Sequence, residues 1–221
     1  MNSTLILSIS AAAALGAVSS AHGALIHATI TADNHYAVYG VSGGSIFKVG
    51  GNEIGHSGSP GTYNWSRPET WSFITENTLY IAAWSDDAVA QGLLAQLTAD
   101  GLPLHSGDAR WEVFTTGVDL DTGAPHPSAG TITGFVNTAN TGGLWASPFI
   151  GGNNGIAPWG TVPGITSDAR WMWANVAGDA NPLIGGSAAG EMLIFRVAVP
   201  TPGAAAMAGV ALMMGLRMRR R

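Results

Sequence analysis

Nine short runs, each rich in β-branched or aromatic residues and each closed off by Gly, Pro, Asn or Asp, constrain the fold of this chain more than any other feature. They are Leu25 to Ile30, His35 to Tyr39, Ser45 to Val49, Trp71 to Ile74, Thr78 to Trp84, Arg110 to Phe114, Thr131 to Val136, Arg170 to Trp173 and Glu191 to Val197. Side chains of these types pack well on a half-buried pleated surface, and the turn residues between them end each run after a few positions. The pattern predicts an all-β fold, a two-sheet β-sandwich or jelly roll. One segment has helical spacing instead: Val89, Leu93 and Leu97 recur every four residues, which predicts a short helix over Ala88 to Leu97, capped by Ser85 or Asp86. The Gly/Pro-rich stretches Gly50 to Arg67, Thr115 to Gly130 and Asn137 to Gly164 would then be loops at the ends of the sandwich.

Both ends of the chain read as addresses rather than as fold. Leu5 to Val18 is apolar and is followed by the small residues Ser19, Ser20 and Ala21, the arrangement of a secretory signal peptide cut after Ala21 or Gly23, although no Lys or Arg precedes it. At the other end, Val199-Pro200-Thr201-Pro202-Gly203 leads into an uncharged run from Ala204 to Leu216 and then Arg217, Arg219, Arg220 and Arg221. This tail resembles the PEP-CTERM sorting signal of bacterial envelope and exopolysaccharide-associated proteins, in its VPxPG-type form. Its apolar run falls short of the ~20 residues that span a bilayer as a helix, and the arginines beyond it favour the cytoplasmic side. The resemblance implies transient anchoring by the C-terminal segment and cutting by a membrane sorting protease-transpeptidase, with a retained anchor as the alternative. The expected division is 1–23 signal peptide, 24–198 β-sandwich and 199–221 sorting signal.

Between these ends, five basic residues face fourteen acids, a formal charge of −9 over 24–198. Nucleic acid is excluded as an expected partner, because phosphate binding needs a basic footprint. The absence of cysteine rules out disulfides, thiolate metal sites and a Cys nucleophile. Asp108-Ala109-Arg110-Trp111 recurs as Asp168-Ala169-Arg170-Trp171, and both copies read as similar starts to a strand whose Trp packs inward.

The body also resembles extracellular β-sandwich domains that often precede PEP-CTERM tails. The likeness lies in Asp33-Asn34-His35-Tyr36-Ala37-Val38-Tyr39, in Trp84-Ser85-Asp86-Asp87 with Gln91-Gly92-Leu93-Leu94, and in Arg170-Trp171-Met172-Trp173. An Asp-Asn turn before an aromatic strand is shared with galactose-binding-like jelly rolls. The resemblance implies a fold and a location outside the cell, and it brings no catalytic residues.

Eight tryptophans fall in the body. Trp71, Trp84, Trp111 and either Trp171 or Trp173 lie in strand-like runs and are expected in the core, whereas Trp65, Trp145 and Trp159 sit among loop residues, where an exposed ring can stack on a sugar. These three are the candidate glycan contacts. Asp119-Leu120-Asp121-Thr122-Gly123 resembles the start of a calcium loop, with Asp119 and Asp121 as ligands, but the later oxygens are missing and an Asx-type turn is the competing reading. The histidines have no metal-ligand spacing. Gly40-Val41-Ser42-Gly43-Gly44 spells a hydrolase elbow, yet a strand follows it where a helix is required, so it reads as a hairpin. Carboxylate pairs such as Glu69 with Glu76 or Asp100 with Asp108 leave a glycosidase open. The expectation is an exported structural or adhesive protein of the cell surface or matrix that binds exopolysaccharide weakly. The alternative is a secreted carbohydrate-active enzyme.

Overall fold

Strand β1 (Ala24–Asp33) begins with strict alternation: Ala24, Ile26 and Ala28 are buried while Leu25 and His27 face out. That period of two is what one face on a core demands. The computed structural model describes residues 23–52, 65–176, 178–186 and 188–200. The other strands are β2 (His35–Ser42), β3 (Ser45–Gly51), β4 (Glu69–Thr75), β5 (Thr78–Trp84), β6 (Gly92–Ala99), β7 (Leu102–Pro103), β8 (Trp111–Asp119), β9 (Phe149–Asn153), β10 (Arg170–Trp173) and β11 (Glu191–Ala198). They form two antiparallel sheets. One runs β4-β1-β6-β10-β9 with β7 beside β6, and the other runs β3-β2-β5-β11-β8. The fold is the expected two-sheet sandwich.

The inner faces of the two sheets close on one core, in which Ile26, Ile30, Val38, Ile81, Leu93, Trp111, Trp171, Trp173 and Phe195 are among the buried side chains. Trp84, expected in the core, is fully buried on the opposite face of its sheet. That outer face is covered by helix α1 (Ala129–Gly142), whose Ile132, Val136 and Ala139 close a second core with Tyr39, Trp84, Phe114 and Ile194. The second sheet is therefore buried on both sides along its centre.

Two elements differ from the sequence reading. Ala88 to Leu97 is not a helix: from Gly92 onward it is β6, paired with β1 on one side and β10 on the other. Thr131 to Val136 is not a strand, because it lies inside α1. The loop expected over Thr115 to Gly130 is shortened by β8, which continues to Asp119, and the one over Asn137 to Gly164 contains the end of α1 and all of β9. Among the described residues no helix is long and apolar enough to cross a membrane, and the apolar run Ala204 to Leu216 lies outside them, as do residues 1–22.

The strand register gives the sandwich two distinct ends. At one end Ala24 pairs with Thr75 and Ala198 with Thr78, and the Val199 amide donates to the Asn77 carbonyl at 2.8 Å, so the chain enters and leaves beside the β4–β5 turn. At the other end Asp33 pairs with Gly92 and His35 with Trp84. Asn34 alone links β1 to β2 there, carrying the chain from one sheet to the other.

Candidate functional site

The crossing at Asn34 forms the floor of a cleft of about 240 Å³ lined by Asp33, Asn34, Trp65, Asp86, Val89 and Trp159, with Ala88, Ala90 and Pro158. Hydrogen bonds from several elements fix this corner. The Asn34 Oδ1 accepts from Ser85 Oγ at 3.1 Å and from the Asp86 amide at 2.9 Å, and its carbonyl accepts from Asn52 Nδ2 at 2.5 Å. Asn52 Oδ1 in turn accepts the Tyr36 amide at 2.8 Å. Trp65 is held at the wall by its carbonyl, which accepts from Thr31 Oγ1 at 2.6 Å. The Asp33–Asn34 and Ala157–Pro158 peptide bonds are both cis.

Asp33 is the chemically unusual group. It is only 9% exposed, and its Oδ2 accepts from Trp159 Nε1 at 2.8 Å. No described donor reaches its Oδ1. Burial pushes its carboxyl up to about 6; the Trp159 bond opposes that shift and the charge of Asp86 adds to it. Asp86 stands at the rim, exposed, with its Oδ1 accepting the Ala88 amide at 3.1 Å. That bond is an Asx-type turn leading toward β6, in place of the helix cap expected there. Val89, 72% exposed, adds an apolar lip.

Two of the three loop tryptophans meet at this cleft, and they meet it differently. Trp65 is half-buried and forms part of the wall. Trp159 was expected to be exposed but is 3% exposed: its ring stacks on Trp171 with centroids 4.0 Å apart, and its nitrogen is spent on Asp33. It supplies an edge to the cleft rather than a free face, which corrects its reading as a stacking platform. Trp145 lies elsewhere, over the second sheet. The Arg196 guanidinium sits 4.0 Å above its ring, Phe114 meets it edge-on, and its Nε1 donates to Asn140 at 2.8 Å. One face of Trp145 is therefore already occupied by a cation.

The proposed calcium ligands lie at the end of β8 and in the turn that follows it. Asp119 ends β8 opposite Glu191, and Asp121 opens a turn in which its carbonyl accepts from the Ala124 amide at 2.8 Å. Both side chains are exposed, and among the described residues no three His, Cys, Asp or Glu side chains converge as a metal site. Of the sorting motif, Val199 and Pro200 are described, at the end of the sandwich opposite the cleft, while Thr201, Pro202 and Gly203 lie outside the described residues.

The enzyme motifs resolve into structure. Gly43 and Gly44, at φ 56° and 74°, make the two-residue turn of the β2–β3 hairpin, closed by the Ser42–Ser45 pair. Glu69 accepts from the Tyr36 hydroxyl at 2.5 Å, and Glu76 from the Gly43 amide at 3.1 Å. Asp100 accepts from the Leu25 amide at 2.9 Å, and Asp108 pairs with Arg110 at 2.8 Å, which holds the Asp108 carboxyl below its usual value. None of these four lines the cleft. The acids that do, Asp33 and Asp86, have plain local readings in the sequence, Asp33 in a turn and Asp86 as a helix cap, and nothing local brings them together across 53 positions. No known protein family, no curated protein and no solved structure matches this chain.

Proposed function

We propose that this chain is an exported structural or adhesive protein of the cell surface or extracellular matrix, whose sandwich binds glycan weakly through the end cleft. The observation that carries this reading is the cleft itself, where an aromatic wall from Trp65 and polar oxygens from Asp33 and Asp86 line one concave space. Sugars are bound by that combination, with a ring face against an aromatic surface and hydroxyls on fixed acceptors. The resemblance of the ends to a signal peptide and a PEP-CTERM tail supports export, sorting by a membrane protease-transpeptidase and exopolysaccharide as the partner. The galactose-binding-like likeness of the sequence points the same way. Calcium enters only as an adjunct at Asp119 and Asp121, where two exposed carboxylates precede a turn.

A second reading, a secreted carbohydrate-active enzyme, draws on one feature. Asp33 is pushed up to about 6 while Asp86 shares its cleft, and two carboxyl groups in unlike settings are what general-acid chemistry on a glycosidic bond uses. A glycan array on the purified protein, with and without calcium, tests the binding reading. Trp65→Ala is expected to weaken any binding by about 0.5 to 1.5 kcal/mol, the scale of an aromatic pair. Release of reducing ends from a bound glycan, abolished by Asp33→Asn, would replace adhesion with hydrolysis. An array with no binder and no product would remove both.

A further inference from the structure

The charge of the cleft selects among sugars. Its lining holds two carboxyl groups and, among the described residues, no lysine, arginine or histidine. Asp33 is nine-tenths buried, and among the described residues only Trp159 donates to its carboxyl, at Oδ2, so Oδ1 is left open to the cleft. A carboxylate so largely buried is poorly hydrated, and a donor or a cation seated in the cleft would stabilise it. Trp65 and Val89 give the same space an aromatic wall and an apolar lip.

A bare metal ion suits this lining poorly. Calcium takes six to eight oxygens, and here the Asn34 side-chain oxygen is already used by Ser85 and Asp86 while much of the remaining wall is indole and alkyl. An anionic sugar would meet two like charges, inside a body whose formal charge is −9. A neutral sugar would satisfy Asp33 through a hydroxyl but would leave its charge uncompensated. An organic ammonium satisfies every group: it donates to Asp33 Oδ1, is attracted by Asp86, and leaves its carbon skeleton against Trp65.

We propose that the cleft recognises an amino sugar with a free ammonium group, seated with that group between Asp33 and Asp86 and its ring along Trp65. The inference rests on the glycan-binding reading and narrows it to one chemical class.

The test is calorimetric titration of the purified full chain with three short oligosaccharides: glucosamine oligomers, their N-acetylated counterparts and glucose oligomers. It is run at about pH 6.5, above the value to which Asp33 is pushed and low enough that much of the sugar amine, which its neighbouring ring oxygens hold below an ordinary alkylamine, still carries its proton. The glucosamine oligomer is expected to bind about tenfold tighter than either control, the scale of one charge-assisted hydrogen bond. Asp86→Asn should reduce the preference and Asp33→Asn should abolish it. Trp65→Ala, which leaves both acids in place, should weaken all three ligands. Each variant's melting curve identifies any loss that is merely unfolding. Equal binding of all three sugars, sensitive to Trp65→Ala, would overturn the amino-sugar inference and leave glycan binding standing. A glucosamine preference untouched by both Asp substitutions would reduce the effect to attraction by the acidic surface and overturn the site. No binding by any of the three would overturn the amino-sugar inference, and the glycan array then decides the broader reading.

Discussion

Asp33 and His35 stand on either side of Asn34 and are shifted in opposite directions by the same cause. Burial raises Asp33 from 3.8 to about 6, and burial, helped by His126, lowers His35 from 6.5 to about 4. The folded state holds the Asp33 proton more tightly than the unfolded chain does, so this group favours folding below about pH 3.8 and loses that contribution as pH rises through 6. The folded state resists protonating His35, so this group favours folding above pH 6.5 and loses that contribution as pH falls through about 4. The two slopes oppose each other in nearly the same window. Asp33→Asn, which keeps an oxygen for the Trp159 bond, is expected to uncover the His35 slope. Between pH 7 and pH 4 the variant should lose on the order of 3 kcal/mol relative to wild type, since each tenfold change in proton affinity between the folded and unfolded states is worth about 1.4 kcal/mol. Thermal melts across that range check it, and parallel curves for the two proteins would refute it. Among single residues, the sequence was legible where strand context decides. Trp84 and Trp111 are buried in keeping with their apolar runs, and so are both Trp171 and Trp173, of which only one was expected inside, whereas Trp71 is half-buried against the core. Trp159 was illegible, because its loop composition says nothing of a ring stacked on Trp171 or of an acid 126 positions away.

The exchange of helix and strand has a physical cause at the level of elements. Leu93 and Leu97 lie four apart, and a separation of four returns to the same side in both a helix and a strand. What decides is Leu94 and Ala95, which are buried too, since both faces of β6 are covered from Gly92 to Ala95, while Gln96 and Thr98 further on are half-buried. That two-faced burial erases the alternation by which a strand is recognised. In α1 the error runs the other way. Thr131, Ile132, Thr133 and Val136 suggest a strand by type, while Ile132, Val136 and Ala139 follow the helical period and are the buried positions. The decisive signals were the ends. Ser128 accepts the Thr131 amide at 3.0 Å as N-cap, and Gly143, at φ 61°, closes the last turn in the left-handed region. With glycines at 130, 134 and 142 the helix is intrinsically poor, so its cap matters. Ser128→Ala is expected to cost about 1 kcal/mol. Urea unfolding followed by tryptophan fluorescence measures this, and an unchanged midpoint would mean that the second core alone holds α1 in place.

For the whole molecule, the strand runs and their turns were enough to read a two-sheet sandwich, because eight of the nine runs are strands. The cleft was not readable, because it is assembled from four separated stretches of chain, around Asp33, Trp65, Asp86 and Trp159. The proposed export and sorting have a measurable consequence for the chain as a whole. If the tail is removed during sorting, the intact mass of protein recovered from the cell surface should lack Arg217 to Arg221, and a mass retaining Arg221 would sink the cleavable tail. The strand register gives such a sorted protein a direction. The chain leaves the sandwich beside the β4–β5 turn, and the cleft opens where β1 passes into β2, so strands of eight to ten residues separate the two, a distance of about 25 Å at the usual rise. On the proposed surface reading, a tether at Val199 and Pro200 would leave the Asp33 cleft at the far end of the domain, turned toward the polymer that the cleft is proposed to bind.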